Sequence, residues 1–333
     1  MKDILNRILG HQDLSLPEAR EMMMRIMSGE FSDAQIAAFL VALRGKGETP
    51  SEIAGFAQAM RDKMIKVPIT VDAIDMCGTG GDARGTFNIS TAASFVVAGA
   101  GVPVAKHGNR SITSSSGSAD VLAALGVDIT MPPDKVAKAV EEVGLGFMFA
   151  PALHPAMKYV MPARKALSIR TVFNILGPLS NPAGAQRQLL GIFDGTLTET
   201  MAEVLRKLGS KQALLVHGED GLDELTTTTS SKVSHLLETG VVKSSIINPR
   251  SLGLPHAQLA DLQGGTPHEN ADMTLSILKG EAGPKRDVVV LNAAAGLLVG
   301  EAVPDLKEGI VLAGESIDSG RALQVLKNLV AFS

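Results

Sequence analysis

Three glycine-, cation- and acid-bearing stretches hold the residue types that handle phosphate and metal. The first is Asp75-Met76-Cys77-Gly78-Thr79-Gly80-Gly81-Asp82, which follows an apolar run and leads through Asn88-Ile89-Ser90-Thr91 toward a helix. Glycines let the backbone approach a ligand and aim N–H groups at it, and a helix N-terminus adds partial positive charge. No Gly-Lys-Ser/Thr follows, so it is not a Walker A loop, and the spacing is not the dinucleotide fingerprint. The competing reading is a tight strand-to-helix turn with Ser90 or Thr91 as an ordinary cap. The second stretch, from Lys106-His107-Gly108-Asn109-Arg110 to Ser118, packs two cations, an amide and six hydroxyls into 13 residues. Such a loop can wrap several phosphate oxygens; a solvated Ser-rich loop explains the serines but not the cations directly off a buried strand. The third is His217-Gly218-Glu219-Asp220-Gly221-Leu222-Asp223-Glu224, with four carboxylates in six residues. Hard oxygens so close repel one another unless a cation such as Mg²⁺ sits among them. Acids at a helix start, favoured by the dipole, explain them equally well.

Other candidates are weaker. His154 and Arg164 lie within and beyond the stretch Ala150-Pro151-Ala152-Leu153-His154-Pro155-Ala156-Met157-Lys158-Tyr159. Alone they read as a structural histidine and a surface charge, although a carboxylate-bearing substrate would give the arginine fork a purpose. Cys77 is the chain's one cysteine; it excludes an intramolecular disulfide and a Cys-rich zinc site, and reads as a small packing residue. No Ser-His-Asp or Cys-His order is evident.

The elements that must position these loops follow from periodicity. Residues 1–66 read as helical, with capping boxes Ser15/Glu18, Ser32/Gln35 and Thr49/Glu52 and helical spacing of Ile36, Phe39, Leu40 and Leu43. Met22-Met23-Met24 reads as core filler. Pro68 forces an extended hinge. Beyond it, strands are expected at 73–76, 102–105, 146–149, 189–193, 213–216, 241–247 and 288–291, and helices at 92–100, 119–125, 134–143, 197–208 and 321–330, with a further capping box at Thr196/Glu199. This alternation predicts an α/β domain with a mostly parallel sheet, which would bring the three loops to one rim. Residues 164–186 interrupt it and could return to the helical part.

The composition agrees. A chain of 333 residues that is 45% apolar and 20% charged can bury a substantial core in about two domains. A net charge of −4 and 3% aromatics argue against a nucleic-acid surface built on an overall basic field or on base stacking. The start reads as no secretory signal. The longest uncharged run, residues 85–105, carries too many polar groups for a membrane span. The expectation is a cytoplasmic protein.

Together, Gly78-Thr79-Gly80-Gly81-Asp82, Thr86-Phe87-Asn88-Ile89-Ser90-Thr91, Lys106-His107-Gly108-Asn109-Arg110, Gly117-Ser118-Ala119-Asp120, His154-Pro155-Ala156-Met157, Arg164, Asn181-Pro182-Ala183 and Gly221-Leu222-Asp223-Glu224 resemble the anthranilate phosphoribosyltransferase family. The resemblance runs over residues 30 to 300, in order. It implies transfer of a phosphoribosyl group from 5-phosphoribosyl-1-pyrophosphate to anthranilate, in tryptophan biosynthesis, by a homodimer of the nucleoside phosphorylase/phosphoribosyltransferase class. The helical domain would take residues 1–66 with a returning segment near 164–186, and the α/β domain 67–163 and 187–333. By the same resemblance Gly78, Gly81, Asp82, Thr86, Asn88, Ile89, Ser90 and Thr91 would hold the ribose donor. Lys106, His107, Gly108, Asn109, Arg110, Ser111, Ile112, Thr113, Ser114 and Ser118 would complete that grip. Gly78, Asn109 and Arg164 would hold anthranilate, with His107, His154 and Tyr159 beside it. Ser90, Asp223 and Glu224 would place two Mg²⁺ ions. No acid–base residue is implied; catalysis would be positioning and electrostatics. A pyrimidine nucleoside phosphorylase, also of this fold, would not need the Asp223–Glu224 pair. A nucleic-acid-binding relative would need a basic groove.

Overall fold

The computed structural model describes residues 1–110 and 116–333. Four helices come first: α1 (Lys2–Leu9), α2 (Leu16–Ile26), α3 (Asp33–Lys46) and α4 (Pro50–Lys63). The last three begin on the expected capping boxes, each cap side chain taking the N3 backbone N–H and each N3 side chain taking the cap's own. Such caps are worth about 1 kcal/mol apiece. Glu52 does more than close its box. Fully buried, its carboxylate also accepts from Leu14 N and from Lys46 Nζ, both at 2.9 Å, so one residue joins α4 to the α1–α2 loop and the end of α3. Helices α2 and α4 touch closely because residue 55 is glycine; a Cβ there would lie 2.4 Å from Leu16 O. Met22 and Met23 are buried with Phe39 and Phe56, as core filler should be.

An extended segment through Pro68 leads into β1 (Ile74–Gly78), α5 (Ile89–Gly99), β2 (Val104–Gly108), α6 (Ser118–Ala124), α7 (Pro133–Lys138) and β3 (Leu145–Phe149). The chain then leaves the sheet for α8 (Ala150–Leu153), α9 (Met161–Leu167) and α10 (Phe173–Leu176). Helix α9 packs on α3 and α10 on α4. Val172, Phe173, Ile175 and Leu176 share the core of the first four helices, and Arg61 Nε donates to Leu179 O at 2.7 Å. Sheet and layers are completed by β4 (Arg187–Gly191), α11 (Thr198–Lys207), β5 (Gln212–Gly218), β6 (Ser231–Leu236), β7 (Val242–Ile247), α12 (Pro267–Leu278), α13 (Pro284–Val299), α14 (Leu306–Asp318) and α15 (Arg321–Phe332). The sheet order is β3-β2-β1-β4-β5-β6-β7. The first five strands are parallel; β6 and β7 are antiparallel additions. The carboxyl ends of β1, β2 and β5 therefore share an edge. Among the described residues no helix is long and apolar enough to cross a membrane.

Four local expectations fail for identifiable reasons. Residues 288–291 lie inside α13, not in a strand. The β-branched run looks extended, but the apolar stretch continues to Val299 and is too long for a strand; it is buried all round between α5, α14 and the sheet. Strand β6, Ser-Lys-Val-Ser-His-Leu, gives no strand signal in the sequence because its apolar content is low; pairing on both sides makes it a strand. Thr196 caps nothing. Asp194 accepts its N–H at 2.9 Å and opens a 3₁₀ turn before α11, while Glu199 takes the Ser244 hydroxyl. The span 134–143 is α7 followed by a π-helical turn, Ala139–Val143.

Candidate active site

The first loop is built on close approach. A Cβ on Gly78 would meet Asp223 Oδ2 at 2.5 Å, and Gly80 N donates to that same oxygen at 2.7 Å. Asp82 accepts from Arg84 N at 3.2 Å, Thr86 bridges to Gln263, and Asn88 is spent sideways, donating to Ser116 O and accepting from Asn270. Its side chain therefore makes no cap on α5. Ser90 N donates to Glu224 Oε1 at 3.1 Å. Two loops far apart in sequence thus meet through their backbone amides and carboxylates.

The second loop joins them. Lys106 is buried; its Nζ donates to Met76 O and to Ser90 Oγ, the latter at 3.4 Å. Gly108 lies under Ser118, whose hydroxyl reaches Asn109 O at 3.4 Å. Arg110 pairs with Asp120 at 2.6 Å. Ser111, Ile112, Thr113 and Ser114 lie outside the described residues. Ile89 and Thr91 are buried, so the expectation that they hold a ligand applies at most to their backbone.

The third loop divides its acids. Asp220 points into its own turn, accepting from Leu222 N and from the hydroxyls of Thr226 and Thr228. Glu219 is exposed. Only Asp223 and Glu224 face the other loops. The segment beyond them becomes β6, which removes the helix-start explanation for the acids. The three rims are not those of consecutive crossover units, because β3 and β4 intervene in the chain; the sheet order brings them together.

Electrostatics show what the pair lacks. Burial raises the Glu224 carboxyl to about 7, with Asp82 pushing the same way and Lys106 and Ser90 opposing. Asp223 is raised well above the usual range by burial, then by Glu224 and Asp82. Burial lowers the Lys106 ammonium against the pull of Asp75 and Glu224. Two buried hard-oxygen groups whose charged forms are disfavoured by burial and by the neighbouring acids are a fit for a divalent cation. Among the described residues no cluster of three or more His, Cys, Asp or Glu forms a complete cage.

On the far side of β2 the imidazoles of His107 and His154 approach to 3.2 Å between Nε2 atoms. Burial, then the neighbouring ring, takes His107 down to about 3; burial takes His154 to about 4. Both are therefore neutral below the ordinary histidine range near 6.5. In ¹⁵N-histidine-labelled protein, ring signals of both should hold neutral positions from about pH 8 down to about pH 5; an imidazolium signal from either near pH 6 contradicts this. Arg164, on α9, stacks over Phe173 at 5.4 Å, and its lowered pKa has burial as its only cause. Among the described residues no carboxylate pairs with Arg164, and such a half-desolvated guanidinium can take a bidentate acid. Tyr159 is not gathered with these groups. Its ring rests where a Cβ on Gly29 would be, 2.8 Å away, at the turn after α2.

Sequence reasoning gave no role to Asp75, the first residue of the first stretch; fully buried beneath the site, it accepts from His107 N at 3.2 Å and from Gln188 at 3.3 Å. It missed Arg170 altogether, which donates to Gly81 O. Only the pairing of distant segments reveals what either residue does.

Two family profiles match the chain: "Glycosyl transferase family, helical bundle domain" over residues 2–64 and "Glycosyl transferase family, a/b domain" over residues 70–323. The chain is 52% identical to the anthranilate phosphoribosyltransferase of Moorella thermoacetica, over 100% of this chain and 98% of that protein. It is similar to the crystal structure of the anthranilate phosphoribosyltransferase from Thermus thermophilus, with a TM-score of 0.94, 45% identity and 99% of each chain covered. The Saccharomyces cerevisiae enzyme in complex with PRPP and Mg superposes with a TM-score of 0.90 at 29% identity, over 99% of this chain and 96% of that one.

Proposed function

Because the chain belongs to the anthranilate phosphoribosyltransferase family, we propose that its cleft joins anthranilate to 5-phosphoribosyl-1-pyrophosphate in tryptophan biosynthesis. The amine nitrogen forms a bond to ribose C1, the bond from C1 to pyrophosphate breaks, and the amine proton passes to solvent. The carrying observation is the meeting of Asp223 with Gly80 N, of Glu224 with Ser90 N, and of Lys106 with Ser90 Oγ. Lys106, the Gly78–Asp82 backbone and the Asn88–Thr91 turn hold the donor's phosphates, with Asn109, Arg110 and Ser118 at the second rim. Asp223, Glu224 and Ser90 would hold Mg²⁺, two ions by our reading, and bound magnesium offsets the charge that develops on pyrophosphate. Arg164 takes the anthranilate carboxylate and Asn109 its flank, which turns the amine toward C1. An arylamine is neutral at pH 7, so the residues need only align it, exclude water and leave its lone pair free. The neutral His107–His154 pair suits that wall, since an imidazolium there would compete for the carboxylate.

We divide the chain into a helical domain, residues 1–66 with the returning segment 164–186, and an α/β domain of the remainder. We assign it as a cytoplasmic homodimer; Leu9 and Val41, exposed on α1 and α3, are candidates for the contact. The paired Asp223 and Glu224 favour this reading over a nucleoside phosphorylase, which has no pyrophosphate to charge-balance. The test is consumption of anthranilate fluorescence. It should require both the ribose donor and Mg²⁺; loss of signal without the donor, or none with all three, rejects the assignment.

A further inference from the structure

We propose that Arg170 is a positioning residue for this reaction, setting the orientation of the Gly81–Asp82 peptide and, through it, the grip on the ribose donor. The proposal rests on the reading that the first loop holds that donor. Arg170 lies on the connector between α9 and α10, 89 residues along the chain from Gly81. Its guanidinium stacks on the Phe193 ring at 4.1 Å and donates from Nη2 to Gly81 O. A planar guanidinium can lie flat on a ring and donate along a fixed in-plane direction at once, whereas an ammonium has no face to stack and no fixed donor direction.

The loop needs such a contact. Gly80 and Gly81 have φ of 67° and 77°, a region left to glycine, and neither has a side chain with which to fix its peptide planes. A trans peptide points its C=O opposite to the N–H that follows it. With Gly81 O drawn to Arg170, the Asp82 N–H is turned to the opposite side of the loop. At the residue before, Gly80 N–H is taken by Asp223. Asp223 and Arg170 therefore fix successive parts of one glycine turn. Arg170 is itself tied, since its carbonyl accepts from Arg44 Nη1 at the end of α3. One residue thus links the helical bundle to the phosphate loop.

The contact sits at the wall of an open cleft of about 370 Å³ whose lining includes Asp82, Arg84 and His217. That space admits a free guanidinium ion, which makes the role testable by rescue. Calorimetric titration of the wild-type chain with 5-phosphoribosyl-1-pyrophosphate and Mg²⁺ comes first; no binding there removes the donor reading itself. Given binding, Arg170→Ala should raise the donor KM about tenfold, the scale of one lost charge-assisted contact. The anthranilate KM should stay within about twofold, and added guanidinium chloride should restore most of the donor KM. Arg170→Lys, which keeps the charge and loses the fork, should retain most of the defect. A donor KM unchanged in Arg170→Ala, a parallel rise in both KM values, no relief by guanidinium, or full function in Arg170→Lys overturns the role of Arg170 and leaves the donor reading standing.

Discussion

In the double variant Asp223→Asn, Glu224→Gln, turnover should fall on the order of a thousandfold and cease to respond to Mg²⁺. The substitutions are isosteric. An amide oxygen at residue 223 can still accept from Gly80 N, and one at 224 from Ser90 N, so the loops stay joined while the negative charge is lost. The pH dependence supplies a second reading of the same experiment. Burial holds Glu224 at about 7, and Asp223 is raised well above its usual range. Metal must displace those protons, so apparent Mg²⁺ affinity in the wild type should rise from about pH 6 to about pH 8. In the double variant that rise should vanish. Initial rates across a Mg²⁺ series at three pH values decide it, and near-normal turnover at saturating Mg²⁺ would end the metal assignment.

Arg164→Ala should raise the anthranilate KM about a hundredfold, the scale of two charge-assisted hydrogen bonds lost from a partly desolvated guanidinium. The donor KM should move little, because Arg164 lies on α9, at the start of the returning segment, while the proposed phosphate grip comes from β1, β2 and the loop after β5. Alanine also uncovers the Phe173 face, which is only partly an electrostatic partner, so a modest loss of thermal stability accompanies the change. Steady-state kinetics with each substrate varied in turn give the answer. An equal loss for both substrates would show that Arg164 supports the cleft as a whole and has no particular hold on anthranilate.

Capping boxes are legible because they are local: Ser15, Ser32 and Thr49 each need only a partner three residues away. The strands that carry the loops are legible within a few residues, since short apolar runs bounded by glycine have few alternatives. The run 288–291 misleads because a β-branched sequence looks alike in a strand and in a helix buried on every side; only the sixteen-residue length of α13 separates them. Of the four acids in the third loop, composition cannot say which face the cleft. Asp220 finds hydroxyls six and eight residues ahead, at Thr226 and Thr228, and that internal pairing leaves the cleft to Asp223 and Glu224.

By itself the sequence determined the chemistry on offer: a glycine turn before a helix, a cationic hydroxyl-rich loop, an acidic loop, and the alternation that makes a parallel sheet. Those follow from residue type and short-range spacing. Only the tertiary structure decided which of them act on one another. Gly80 meets Asp223 across 143 residues, Ser90 meets Glu224 across 134, and Arg170 reaches Gly81 from the bundle side. The reason is the strand order, in which β1 lies between β2 and β4 while the chain visits β3 and the bundle in between. Long-range pairing of that kind is selected by burial of the whole sheet, and no local pattern records it.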